Sequence, residues 1–419
     1  MSLKIDLNRL RSDMQDNAQY GATDGEDEHG RTVLTGTAAD RQARKHLVGR
    51  FRDADLEVRI DPVGNIVGRY TPALCDPDAA PVALGSHLDS VPNGGIFDGP
   101  LGTYGALEVV RAMQESDVAT KLSRPIEVVS FTEEEGSRFG FGTLGSAVAT
   151  GRIDVSEALS LEDDTGTTLG DALEQIGFRG TAEVAPRTWD SWVELHIEQG
   201  TRLTAADAGV GIVDTITGIM NCHVKITGEA DHAGSTSMAD RSDALVSAAE
   251  FILAVEQAPL ESGTTSPTAV ATAGKVTVEP NVRNIVPGAV RLELDIRDVD
   301  RAVMDQILES CRSSLSDLER RCGVGTALRL HRVTEPTQMD DRCLSAADDA
   351  VTARGIKSLR LHSAAIHDTA NVADVTDTCL LFAPSVDGIS HSPREWTEWD
   401  DCATATGVLA DTVFQLASS

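Results

Sequence analysis

Apolar residues fall into two patterns along this chain. The runs Val82-Ala-Leu-Gly-Ser, Ile126-Glu-Val-Val-Ser-Phe, Trp192-Val-Glu-Leu-His and Cys379-Leu-Leu-Phe-Ala are short and nearly continuous, as in strands covered on both faces. Helix-like segments separate them, among them residues 39–55 and Gly105 to Gln114, and Leu56-Glu-Val-Arg-Ile alternates like a strand before a turn at Gly64-Asn65. This alternation predicts an α/β sandwich with a mostly parallel sheet. Residues 215–328 read differently. Strand (His223-Val-Lys-Ile), helix (Arg241 to Glu256), strands (Ala269 to Val278, Val290 to Ile296), helix (Arg301 to Arg320) and strand (Ala327-Leu-Arg-Leu-His) follow in turn, and the strands alternate apolar with polar. That is a βαββαβ unit whose antiparallel sheet has helices on one face. The first pattern resumes near residue 329, so one domain in two segments, 1–214 and 329–419, is interrupted by a smaller domain at 215–328.

Composition narrows the function classes. The 419 residues are 41% hydrophobic, enough for proper cores, and 36 Lys and Arg against 66 Asp and Glu give a formal charge of −30. Nucleic acids and anionic membranes would be repelled by such a chain. The acid surplus suits a salt-adapted protein, because salt screens self-repulsion. No stretch approaches the roughly 20 apolar residues of a membrane span, and the first residues hold no signal-peptide core, so the expected compartment is the cytoplasm. The seven cysteines are scattered without a CxxC pair and read as reduced thiols.

Candidate chemistry gathers at strand ends. His87 follows the run Val82 to Ser86, where open α/β sheets place their ligands. Asp89, two residues on, is placed to accept the second imidazole N–H and fix the tautomer. The glycines of Gly94-Gly-Ile-Phe-Asp98 let the backbone turn and return Asp98 to His87, where it could bridge two metals. Ser130-Phe-Thr-Glu-Glu-Glu-Gly136 follows a second strand, and of two adjacent carboxylates one can bind a metal while the other faces the attacking water. Glu194-Leu-His-Ile-Glu-Gln-Gly brings His196 and Gln199 to a third end, and Gly388-Ile-Ser-His-Ser-Pro brings His391 to a fourth. A lone histidine or a glutamate triplet in so acidic a chain is ordinarily core or solvated surface. Four such clusters at four strand ends point instead to a nitrogen and oxygen ligand set without thiolate, suited to Zn²⁺, Mn²⁺ or Co²⁺.

GSHLDSVPNGGIFDGPLG, EEGSRFG, ELHIEQG, ADHAGSTSM and GISHSPREW, in this order between residues 40 and 400, resemble the M20-type metallopeptidase superfamily in its branch of N-carbamoyl-L-amino-acid hydrolases and allantoate amidohydrolases. The resemblance implies two divalent ions per subunit, one held by His87 and His196, the other by Glu135 and His391, with Asp98 bridging. Glu134 matches the general base, which takes a proton from water as it attacks the substrate carbonyl and returns it to the leaving nitrogen. His232 matches a histidine that reaches the partner subunit's site and stabilises the oxyanion. Asn284 and Arg297 match residues that hold the substrate carboxylate, and Gln199 is assigned to the ureido group. The insert becomes a ferredoxin-like lid and dimerisation domain, which makes a homodimer the expected assembly. Glu133 stands where the family often has Asn and is read as surface acid.

Two places depart from the family pattern. Thr236-Ser-Met238 stands for Thr-Pro-Met, and Ser363-Ala-Ala-Ile-His-Asp368 for Ser-Gly-Ala-Gly-His-Asp, so Ile366 replaces a glycine and could reshape the pocket near His367 and Asp368. The resemblance implies hydrolysis of the ureido C–N bond of an N-carbamoyl-L-amino acid, with allantoate the alternative. An aminoacylase or dipeptidase fits less well, because many peptidase relatives carry a carboxylate where His196 stands. A binding protein that had lost its chemistry would lack a ligand or Glu134, and none is missing.

Overall fold

The computed structural model describes residues 2–23, 29–261 and 266–418. They form two compact units, Met1–Asp214 with Gln338–Ser419, and Thr215–Thr337.

The first unit is built on a nine-stranded mixed sheet. Across it the order is Glu57–Ile60, Ile66–Tyr70, Ile126–Phe131, Val82–His87, Ser191–Ile197, Asp377–Ala383, Val210–Ile216 and Thr337–Gln338, and Ser358–Ser363 also pairs with Val210–Ile216. The four strands from Ile126–Phe131 to Asp377–Ala383 are parallel, and the pairings outside them that join Glu57–Ile60, Ile66–Tyr70 and Val210–Ile216 to the sheet are antiparallel. Every residue of Val82–His87, Ile126–Phe131 and Ser191–Ile197 is buried, because helices cover both faces of these strands. The helix Pro100–Gln114 lies hard against the sheet. A Cβ at Gly102 would sit 2.2 Å from the carbonyl oxygen of Leu195, so only glycine admits this approach. The Thr103 hydroxyl donates to the carbonyl of His87 at 3.0 Å and ties that helix to a strand end.

The second unit holds a four-stranded antiparallel sheet in the order Gly325–Thr334, Gly218–Thr227, Ala289–Asp298, Val270–Glu279. Its strands alternate, with Met220, Cys222, Val224 and Ile226 buried along one of them. The helices Ala244–Gln257 and Arg301–Cys322, capped by the side chains of Asp243 and Asp300, bury Phe251, Met304, Ile307 and Leu315 against these positions. Two features differ from the sequence reading. The last strand, read as Ala327 to His331, runs from Gly325 to Thr334 across a register shift between Leu330 and Arg332, where a bulge interrupts the period that marks a strand. A two-residue ladder pairs Asp231–His232 with Ile285–Val286, too short to leave a periodic signal. Among the described residues no helix is long and apolar enough to cross a membrane.

Candidate metal centre

Three parallel strands deliver the first side chains. His87 ends one, His196 is next to last on its neighbour, and Glu133 to Glu135 follow the end of a third. Asp98 comes back to them through the turn before Pro100–Gln114, where Gly99 has φ 80° and a Cβ would meet the His87 ring at 2.5 Å. Asp98 Oδ1 lies 3.4 Å from His87 Nε2 and 3.2 Å from His196 Nε2. Its other oxygen lies 3.7 Å from His391 Nε2, which is 3.4 Å from Glu135 Oε2. Two candidate ligand groups result, His87–Asp98–His196 and Asp98–Glu135–His391, each with its donor atoms within 4.8 Å of one another, and Asp98 belongs to both.

The residues fit divalent ions. His87 Nε2 is buried without a hydrogen-bond partner. Each buried imidazole turns Nδ1 to a backbone carbonyl, His87 to Asp89 and His196 to Ile197, both at 3.1 Å, so the neutral ring keeps its proton on Nδ1 and offers the Nε2 lone pair to a metal. The donors are nitrogen and oxygen only, a set for Zn²⁺, Mn²⁺ or Co²⁺.

Crowding of carboxylates marks the electrostatics. Burial, and then Asp98, push Glu135 up to about 8, and burial with Asp89 pushes Glu133 up to about 7. Glu134, 3.8 Å from His87 Nε2, is held well above its ordinary value by burial; His87 opposes this, and the carboxylates of Asp368, Glu135 and Asp98 add to it. Burial alone would lower His87, but Glu134, Asp98 and Asp89 carry it well above the usual imidazole range. Asp98, despite burial, is held well below the carboxylate range by His196 and His87.

Peptidase family M20/M25/M40 matches residues 83–415. This chain belongs to that family. Within it the chain falls in the hydantoinase/carbamoylase amidase branch: an N-carbamoyl-L-amino acid amidohydrolase of Geobacillus stearothermophilus is 39% identical over 392 residues, 93% of this chain and 94% of that protein. An allantoate amidohydrolase of Bacillus subtilis strain 168 is 34% identical over 407 residues, 96% of this chain and 95% of its own length. The crystal structure of an amidase of the hydantoinase/carbamoylase family from Burkholderia multivorans superposes with a TM-score of 0.92 at 34% identity, covering 100% of this chain and 99% of that one. The chain is thus a hydrolase of the carbamoylase and allantoate amidohydrolase group, acting on C–N bonds.

Several residues of this M20 chain stand differently from the sequence reading. Glu133 is buried and left-handed (φ 56°), and its Oε1 accepts the backbone N–H groups of Arg138 and Phe139 at 3.0 and 2.8 Å. It shapes the turn rather than meeting solvent. Asp89 offers its carbonyl to His87, while its carboxylate accepts the backbone N–H groups of Glu134 and Glu135 at 3.3 and 3.1 Å. It therefore orients the acidic turn as well as the imidazole. Gln199 Nε2 donates to Asp98 Oδ2 at 2.6 Å. His391 is not at a strand end: it sits in a loop beyond Asp377–Ala383 with φ 53° and a half-exposed side chain.

In the second unit of this M20 chain, His232 is exposed and pairs with Ile285, and its Nδ1 accepts from the N–H groups of Gly234 and Ser235 at 3.0 and 3.1 Å. The ring proton is thereby placed on Nε2, leaving a fixed donor. Asn284, also exposed, accepts the Ala233 N–H through its carbonyl. Arg297 forks onto Asp295 at 2.7 and 3.2 Å. The sequence reading passed over Glu395 and Arg31, both fully buried. The available sign for Glu395 is its place in GISHSPREW, four residues after His391; nothing local marks Arg31.

Proposed function

We propose that this chain hydrolyses the ureido C–N bond of an N-carbamoyl-L-amino acid. The observation that carries this reading is the pair of ligand groups sharing Asp98, with Glu134 beside His87. His87, His196, Asp98, Glu135 and His391 would hold two divalent ions, which would polarise the substrate carbonyl and acidify water. Glu134 takes the proton of the attacking water and returns it to the leaving nitrogen. Glu134 must be ionised to act as this base, and two divalent ions beside it would offset the burial that raises it in the metal-free chain. His232 reaches the partner subunit's site and donates its Nε2–H to the oxyanion there as the carbonyl carbon becomes tetrahedral. Asn284 and Arg297 take the substrate carboxylate, the Arg297 guanidinium exchanging Asp295 for it, and Gln199, one amide hydrogen of which goes to Asp98, turns the rest of its amide to the ureido group. The identity to a carbamoyl-amino-acid hydrolase supports this substrate over allantoate, which pairs the same two groups.

The chain acts as a homodimer through its second unit. Val246, Leu253, Leu260 and Val270 of that unit are 52–74% exposed, apolar side chains that a second copy would cover. Seven unpaired cysteines suit a reducing cytoplasm, and the charge of −30 suits a salt-adapted source.

Ammonia release tests the substrate. A panel of N-carbamoyl-L-amino acids, allantoate, N-acetyl amino acids and dipeptides, with Mn²⁺, Co²⁺ or Zn²⁺ added, is expected to show turnover of carbamoyl amino acids first. With amine release followed in parallel, turnover of acetyl amino acids or dipeptides alone would contradict the reading.

A further inference from the structure

The two ligand groups are supported unequally. His87 and His196 stand on buried strands, whereas His391 stands half-exposed on a loop and Glu135 on a turn. Whatever fixes the loop of His391 therefore fixes the second group. Glu395 does this by gripping two segments at once. Its Oε1 accepts the backbone N–H groups of Phe97 and Asp98 at 3.0 and 3.1 Å. Its Oε2 lies 2.8 Å from the hydroxyl of Ser390, the residue before His391, and that hydroxyl is also 2.9 Å from Asp98 Oδ2. One hydroxyl proton serves either carboxylate, so Ser390 joins them. The Glu395 N–H donates to the Ser392 carbonyl at 3.0 Å and closes the loop around His391. A Cβ on Gly95 would lie 2.1 Å from Glu395 Oε1, so the facing chain gives up its side chain to admit this carboxylate.

We propose that Glu395 is a positioning residue that locks the His391 loop to the Asp98 turn and so sets the ligand spacing of the Asp98–Glu135–His391 position; the His87–Asp98–His196 position shares the braced Asp98 but takes its two imidazoles from strands and depends on the brace less. This rests on the reading of the chain as a holder of two ions. The second position then depends on a hydrogen-bonded brace that touches neither the substrate nor the ion.

The test is titration of the stripped full-length chain with Mn²⁺ alone, by calorimetry and metal analysis, for the unaltered protein, Glu395→Ala, Glu395→Gln, Ser390→Ala and His391→Ala. Two Mn²⁺ per unaltered chain are expected. Glu395→Ala should weaken one site at least tenfold and the other less than threefold. The site lost should be the one His391→Ala removes, so adding Glu395→Ala to His391→Ala should change the remaining site less than threefold. Glu395→Gln, which keeps an oxygen for the two N–H groups, and Ser390→Ala, which cuts one arm, should show smaller losses at the same site; they carry the test if Glu395→Ala fails to fold. Equal weakening of both sites, or two sites of unchanged affinity in the Glu395 and Ser390 variants, would overturn the brace. Fewer than two Mn²⁺ on the unaltered chain would overturn the two-ion reading beneath it.

Discussion

Three consecutive glutamates have three surroundings. Glu133 accepts backbone N–H groups inside its own turn, Glu134 faces His87, and Glu135 faces His391. Sequence position separated the last two from the first but not their burial, because a −30 chain gives every acid the same surface expectation. Their protonation has a consequence for pH. Glu135, raised to about 8, and Glu133, raised to about 7, both start from 4.5 in the unfolded chain. Between pH 4.5 and about 8 the metal-free folded chain keeps protons that the unfolded chain has released, so its stability falls as pH rises through that window. His87, also raised, acts in the same direction above 6.5. Metal uptake must expel the protons of the ligands Glu135 and His87, so Mn²⁺ binding is expected to release protons at pH 7 and to tighten toward pH 8. Calorimetry in two buffers of different ionisation enthalpy measures this; uptake without proton release at pH 7 would contradict the burial of Glu135. Gly99→Ala is the matching steric test. Its Cβ would press on the His87 ring, and Mn²⁺ affinity is expected to fall at least tenfold.

Strands were the legible elements. Continuous apolar runs mark strands buried on both faces, and alternation marks the one-sided sheet of the second unit, since side-chain direction repeats every two residues. Loops carry no such period. His391 therefore reads as a strand-end residue although it follows one by a loop, and Glu395, which holds that loop, carries no periodic signal. Long-range bonds such as Phe97 N–H to Glu395, nearly 300 residues apart in sequence, leave no local trace. The turn after Ile126–Phe131 shows what such bonds are worth. Glu133→Ala would strip two N–H groups of their acceptor, the Phe139 one buried, at about 1–3 kcal/mol each. Denaturant unfolding of this variant is expected to show a loss of about 2 kcal/mol or more, and a change within 0.5 kcal/mol, the range of about ±0.5 kcal/mol for surface substitutions, would return Glu133 to the surface.

At the scale of the whole molecule, family and architecture were legible because motifs and sheet patterns recur along most of the chain, whereas the arrangement of subunits left no period to read. His232, in the second unit, tests that arrangement. Subunits carrying His232→Ala mixed with subunits carrying Glu134→Gln should regain activity if each site borrows the partner's histidine, and verified heterodimers without recovery would contradict the shared site. Net charge supplies a second test: melting temperature is expected to rise with KCl from 0.1 to 2 M as self-repulsion is screened, and a flat or falling curve would remove the salt-adapted reading. The central claim is the division of labour within the acidic cluster. Its most direct test measures metal content and turnover together in Glu134→Gln and Glu135→Ala. Glu134→Gln should retain two ions while losing about 10²–10⁴ in turnover, the range of a proton shuttle, and Glu135→Ala should lose an ion. Equal metal content and equal activity in the two variants would contradict the account.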